Sequence, residues 1–257
     1  MISEPATRPR LFTRDDGRDR IAVPFAKGIL SALGAVGIMF AILMLLVIVA
    51  TVVSLLKGRS LPTNPADPLM QSIELLSYLG AGWFAWWRLR GMRPGTFRRL
   101  TGDDVRTILF GVLALIVVRI ATGLVLVATH QTKHVQNGFE HFDVSSKVPG
   151  LTALMVGLTV LTAVAVAPVV EEIFFRGLLF GALARPIGVL AGALVTGLLF
   201  GLVHFDLVLF PTLAALGFIG ALAYARSGNL WTSVTLHALN NALGAAYLIA
   251  TTIKPGH

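Results

Sequence analysis

Residues 28–56 read GILSALGAVGIMFAILMLLVIVATVVSLL, twenty-nine positions without a charged side chain. A hydrocarbon core about 30 Å thick is crossed by roughly 20 apolar residues in a helix. This run is long enough to cross with some tilt, and it makes the chain a membrane protein. Six more apolar runs follow, at 69–87, 107–129, 151–183, 187–204, 208–225 and 230–252. The pattern predicts an all-α, polytopic transmembrane bundle of about seven helices. Residues 1–27 read as a polar, partly disordered cytosolic tail, with no apolar stretch and small-residue cleavage site of the signal-peptide kind. Residues 28–148 read as N-terminal transmembrane helices and 149–253 as a core domain. His130, His134 and His141 fall in a polar stretch, 130–148, which is expected to be a solvated loop.

Composition agrees. Apolar residues make up 55% of the 257 and charged residues 13%, about half the share of an average soluble domain. There is no cysteine, which excludes disulfides, thiolate nucleophiles and cysteine-built zinc sites. The net charge is +8. In a soluble protein that would suggest nucleic acid as a partner. Here the charge lies in the segments between apolar runs, where it sets topology, and no nucleic-acid partner is expected. With the N-terminus in the cytoplasm, fifteen basic residues fall on inside segments and five on outside ones, Arg119 lying within a run. That bias orients the chain N-terminus in and C-terminus out. Trp83, Trp86 and Trp87 end the second run and suit an interfacial belt. Gly177-Leu-Leu-Phe-Gly181 and Gly197-Leu-Leu-Phe-Gly201 are small-xxx-small patterns, which allow close backbone approach in lipid.

Ionisable residues inside apolar runs are costly and therefore mark sites. They are Glu74, Arg119, Glu171, Glu172, Arg176, His204, Asp206 and His237. Five of these fall in three short patterns. In Glu171-Glu172-Ile-Phe-Phe-Arg176, residues four apart share a helix face, so Glu172 pairs with Arg176 while Glu171 points about 100° away and stays free to move a proton. An ion-paired helix end at the cytosolic surface is the bland alternative. Pro168 lies three residues earlier and predicts a kink. In Phe200-Gly-Leu-Val-His204 the ring of Phe200 sits one turn from His204; a lone histidine there is more often interfacial. In His237-Ala-Leu-Asn-Asn241, His237 and Asn241 share a face and can donate to an oxyanion or serve as interhelical glue. Asn240 points elsewhere and is expected to pack. At 1.5 Å per residue, Glu171, His204 and His237 lie about 20, 28 and 13 Å from the cytosolic turns. Those depths predict one shared cavity.

The set EEIFFRG (171–177), FGLVH (200–204) and GNLWTSVTLHALNN (228–241) resembles the CPBP (CAAX protease and bacteriocin-processing) family of intramembrane proteases, also called Abi. It matches that family's EExxxR, FxxxH and HxxxN patterns in order, one per helix, over less than half the chain. The family includes the type II CAAX prenyl endopeptidases. The resemblance implies an endopeptidase acting on a peptide or membrane-protein substrate in the lipid bilayer, in a bacterial cytoplasmic membrane. Glu171 would act as general base on a water, helped by His204. His237 and Asn241 would hold the oxyanion, and Glu172 with Arg176 would hold the geometry. The family is often labelled metalloprotease, and Glu171, His204 and His237 would make a His₂Glu zinc set with an open position. A zinc protease usually keeps a further carboxylate as base, however, and Glu172 is committed to Arg176. The expectation is therefore a site with no cofactor, zinc being the alternative. A non-catalytic membrane regulator of the same fold, or a transporter, are the competing functions. The first should lack a signature residue, and the second usually shows internal repeats; neither sign is present.

Overall fold

The computed structural model describes residues 21–62, 67–93, 95–130 and 149–252. His134, His141 and the tail before residue 21 lie outside them. The described residues form seven helical rods: α1 Phe25–Leu56, α2 Pro68–Met92, α3 Gly102–Ala128, α4 over 149–183, α5 Val189–Leu202, α6 Phe210–Ser227 and α7 Leu230–Thr252. Their order and number are those of the apolar runs. Phe25–Leu56, Gly102–Ala128 and Val156–Leu183 are long and apolar enough to cross a membrane. α5 is apolar but only 14 residues long, about 21 Å, because Val203–Phe205 leave the helix before the run ends and Phe205 takes a left-handed φ of 52°.

The outer faces are apolar. On α1, Leu30, Leu33, Phe40, Met44 and Leu45 are exposed, and on α3 so are Leu109, Phe110, Val117 and Ile120. Continuous exposed apolar surface on this scale marks lipid contact. Trp83, Trp86 and Trp87 are also exposed. Arg90 lies 5.3 Å over Trp86 and Arg88 lies 5.7 Å over Trp87, a belt of amphipathic rings beside basic residues.

Lipid tails are as apolar as leucine, so helices associate by close packing and hydrogen bonds rather than by hydrophobic burial. The two expected small-residue patterns do this work. A Cβ added at Gly197 would lie 2.7 Å from the Phe218 backbone nitrogen, and one at Gly217 would lie 2.7 Å from the Gly197 Cα. α5 and α6 therefore touch backbone to backbone. Gly177 gives way to Leu89 of α2, and Gly181 to the carbonyl of Ile21.

That last contact draws in the end of the stretch read as a tail. Ile21 and Val23 are buried, and the Val23 N–H donates to the Gly181 carbonyl at 3.0 Å. These apolar residues precede a proline and find the end of α4 within reach, so the bundle begins at least by residue 21. At the neighbouring end of the bundle, Asn229 binds the Arg98 backbone on both sides, its Oδ1 accepting from the Arg98 N–H and its Nδ2 donating to the Arg98 carbonyl. Asp104 takes the Arg98 guanidinium at 2.8 Å. α3 and α7 thus start from one shared knot.

α4 is not a plain helix. Thr162–Val166 and Ile173–Phe180 are wound as π-helix, either side of Ala167–Glu172. Such bulges are uncommon and cluster at functional sites.

Candidate active site

The site is built where α4 passes α7. Glu172 is fully buried and Arg176 nearly so. Arg176 Nη1 lies 2.9 Å from Glu172 Oε1, the pair expected from four-residue spacing. The guanidinium is further held by the carbonyls of Leu216 and Gly217, each accepting from Nη2 at 3.2 Å. Gly220 clears the space: a Cβ there would lie 2.6 Å from Nη2. The Phe200 ring covers the other side, 4.8 Å from Arg176 Cζ. Burying an ion pair is costly unless its remaining hydrogen-bonding groups find partners, and α6 supplies two carbonyls to Arg176.

His237 comes from α7 to the same carboxylate, its Nδ1 3.0 Å from Glu172 Oε1. A carboxylate bound to arginine accepts, so Nδ1 carries the proton and Nε2 is left for other use. Nε2 lies 3.9 Å from Glu171 Oε2. The two glutamates thus meet the two nitrogens of one ring. Glu171 is half-buried, and its Oε1 accepts from the Tyr78 hydroxyl at 3.2 Å. Sequence reasoning missed Tyr78, a lone tyrosine one turn beyond Glu74 on α2 in no recognisable pattern. Glu74, ionisable within an apolar run, and Gln71 three residues before it are the signs that this face of α2 is polar.

His204 stands apart from this pair. Its Nδ1 lies 2.7 Å from the Phe200 carbonyl, which can only accept, so Nδ1 is protonated and Nε2 is again the free nitrogen. Its ring centroid is 4.8 Å from that of Phe200, and the His237 centroid is 5.4 Å from the same ring. Phe200 is therefore the shared wall, which the FxxxH spacing gave for His204 but could not give for His237. Among the described residues, no group of three His, Asp or Glu side chains is arranged to hold a metal ion. Glu171, His204 and His237 have the donor types of a zinc set, yet they do not gather as one.

Asn241 is brought to α4, but to its backbone. In an α-helix the Ala163 carbonyl would accept from the Ala167 N–H. That N–H instead reaches back to Thr162, and the next residue, Pro168, has no N–H to give. The stranded carbonyl is taken by Asn241 Nδ2 at 2.8 Å. The expected kink at Pro168 is thus a π turn whose loose end α7 ties down. Asn240 does not merely pack: its Oδ1 accepts from Arg119 of α3.

Over residues 153–243 the chain matches the family model described as type II CAAX prenyl endopeptidase Rce1-like. This stretch is similar to an Rce1-like domain. It begins within α4 and ends within α7, so it contains every motif residue above while the Tyr78 and Arg119 contacts come from outside it. The chain is also 35% identical over 86 residues to the Bacillus subtilis (strain 168) protein YdiL, whose name assigns it provisionally to the membrane peptidases. That alignment covers 34% of this chain and 35% of the relative, so the chain spans about a third of the length of the curated relative it matches. No solved structure matches the chain. The apolar rods make this an integral membrane protein, and its residues 153–243 are similar to a family of membrane endopeptidases.

Proposed function

We propose that the Rce1-like domain is an intramembrane endopeptidase that activates water with a glutamate. The observation that carries this reading is the split between two adjacent carboxylates. Glu172 is locked by Arg176 and His237. Glu171 faces the free nitrogen of the same imidazole. A general base must be ionised, within reach of the water, and not consumed by a structural ion pair. Glu171 meets the last condition and Glu172 does not.

In this mechanism Glu171 takes a proton from a water, and the hydroxide adds to the scissile carbonyl carbon. The carbonyl oxygen becomes an oxyanion, to which His237 Nε2 donates only when the ring carries a second proton, Nδ1–H keeping its bond to Glu172. The proton then passes from Glu171 to the amide nitrogen, the C–N bond breaks, and a carboxylate and an amine leave. Glu172 and Arg176 hold His237 in its tautomer and orientation, as the third member of a catalytic triad does. His204, with its Nε2 free behind Phe200, assists on the substrate side. Asn241 keeps one amide hydrogen beyond its bond to Ala163 for the same oxyanion. No metal or other cofactor takes part. The substrate is a peptide segment of a membrane protein or of a CAAX-type C-terminus, and the protein works in a bacterial cytoplasmic membrane with its N-terminus inside.

The test is cleavage by the purified protein in liposomes, using prenylated and unprenylated CAAX peptides and a transmembrane peptide library. Wild type should cleave at least one class and Glu171→Gln should cleave none. Wild type that binds a membrane protein tightly but cleaves nothing would favour a non-catalytic regulator of the same fold.

A further inference from the structure

Arg119 is a charged residue in the middle of α3, and the mechanism above does not use it. We infer that Arg119 is a positioning residue, which fixes the direction of a hydrogen-bond relay through Asn240 and Asn241 and so holds the π turn that precedes Glu171.

The argument is one of donors and acceptors. Arginine can only donate, at any pH the protein meets. Its Nε and Nη2 lie 3.0 and 2.9 Å from Asn240 Oδ1, and Nη2 also donates to the Asn240 carbonyl at 3.0 Å. The amide oxygen of Asn240 must therefore face α3. Its NH₂ is then turned the other way, and it donates to Asn241 Oδ1 at 3.1 Å. That in turn leaves the NH₂ of Asn241 facing α4, where it meets the Ala163 carbonyl at 2.8 Å. At each step an amide that could sit either way round is allowed one orientation. The fixed end is the guanidinium, and the far end is a carbonyl stranded by the π turn and by Pro168. Without a donor-only group at the α3 end, both amides can reverse, and Asn241 would then present its oxygen to the oxygen of Ala163. α3 and α7 are close enough for this relay because Gly111 admits Leu236; a Cβ there would lie 2.6 Å from the leucine Cδ1.

The positioning consequence rests on the proposed peptidase reading; the relay itself does not. The chain has only five asparagines, Asn64, Asn137, Asn229, Asn240 and Asn241, so their side-chain amides can be followed individually by ¹⁵N-asparagine labelling of the full chain in nanodiscs. Hydrogen exchange of the Asn241 NH₂ should be slow in wild type and in Arg119→Lys, which also only donates. In Arg119→Met and Arg119→Gln it should speed up at least tenfold, although Arg119 does not touch Asn241. The Asn229 amide serves as internal control and should not change. Unaltered Asn241 exchange in Arg119→Met, or equal effects of Arg119→Lys and Arg119→Gln, would overturn the relay. In cleavage assays Arg119→Met should lower kcat at least tenfold with KM within about twofold, and Arg119→Lys should restore most of it. A lowered KM-dependent term alone, or failure of lysine to rescue, would overturn the positioning role. Wild type without any cleavage would overturn the peptidase reading and leave the exchange result to decide the relay.

Discussion

Glu171 and Glu172 follow one another in the chain yet serve different partners, and substitution should separate them. Glu171→Gln keeps an oxygen for the Tyr78 hydroxyl and removes the base, so cleavage should vanish while the thermal midpoint in detergent stays within a few degrees. Glu172→Gln strands a buried guanidinium, and breaking a buried pair from one side costs about 3–5 kcal/mol. Its midpoint should fall well below that of Glu171→Gln, and equal losses for the two would end the division of labour. Tyr78→Phe removes the hydroxyl that donates to Glu171; its cleavage rate should change while KM changes little. The proposed metal-free chemistry gives a third expectation at this scale. Protein dialysed against a strong chelator should keep its activity, and elemental analysis should find less than one zinc per chain. Activity lost on chelation and restored by stoichiometric zinc, but not by calcium or magnesium, would make Glu171 a ligand instead.

At the scale of elements, glycine spacing decides which helices can touch. Gly197→Leu would drive a side chain into the backbone of α6, and overpacking of this kind costs about 1–3 kcal/mol. Gly37→Ala adds a methyl where nothing lies within 4 Å and should be neutral or slightly stabilising, since alanine is the better helix former by about 1 kcal/mol. Unfolding by a denaturing detergent compares the two, and equal effects would mean that close α5–α6 contact is not what holds those helices. The rods themselves were legible because apolar runs bounded by charge map directly onto lipid-crossing helices, and the Glu172–Arg176 pair was legible because both residues lie on one helix. What joins different helices was not. The bond from His237 to Glu172 spans 65 positions, and that from Tyr78 to Glu171 spans 93. No local period encodes such distances. The π turns escaped for another reason: Pro168 announces a missing donor but not whether the helix answers by kinking or by widening. Likewise the buried start at Ile21 and Val23 was hidden by the polar residues before it.

For the molecule as a whole, the charge bias makes a prediction that needs no substrate. Alkaline phosphatase, active only when exported, should be active when fused after residue 257 and inactive when fused after Arg185. The reverse pattern would invert the bundle. The bond between the Val23 N–H and the Gly181 carbonyl adds a consequence in time. The two residues are 158 positions apart, 181 minus 23. A ribosome adding 5–20 residues per second needs roughly 10–30 s to cover that interval. Until that interval ends, the segment that leads into the first helix has no Gly181 carbonyl to bind. A segment made before the first helix is thus fastened only once α4 is complete, so a ribosome stalled before Gly181 leaves that segment unlatched, in a form that a membrane quality-control protease would meet first.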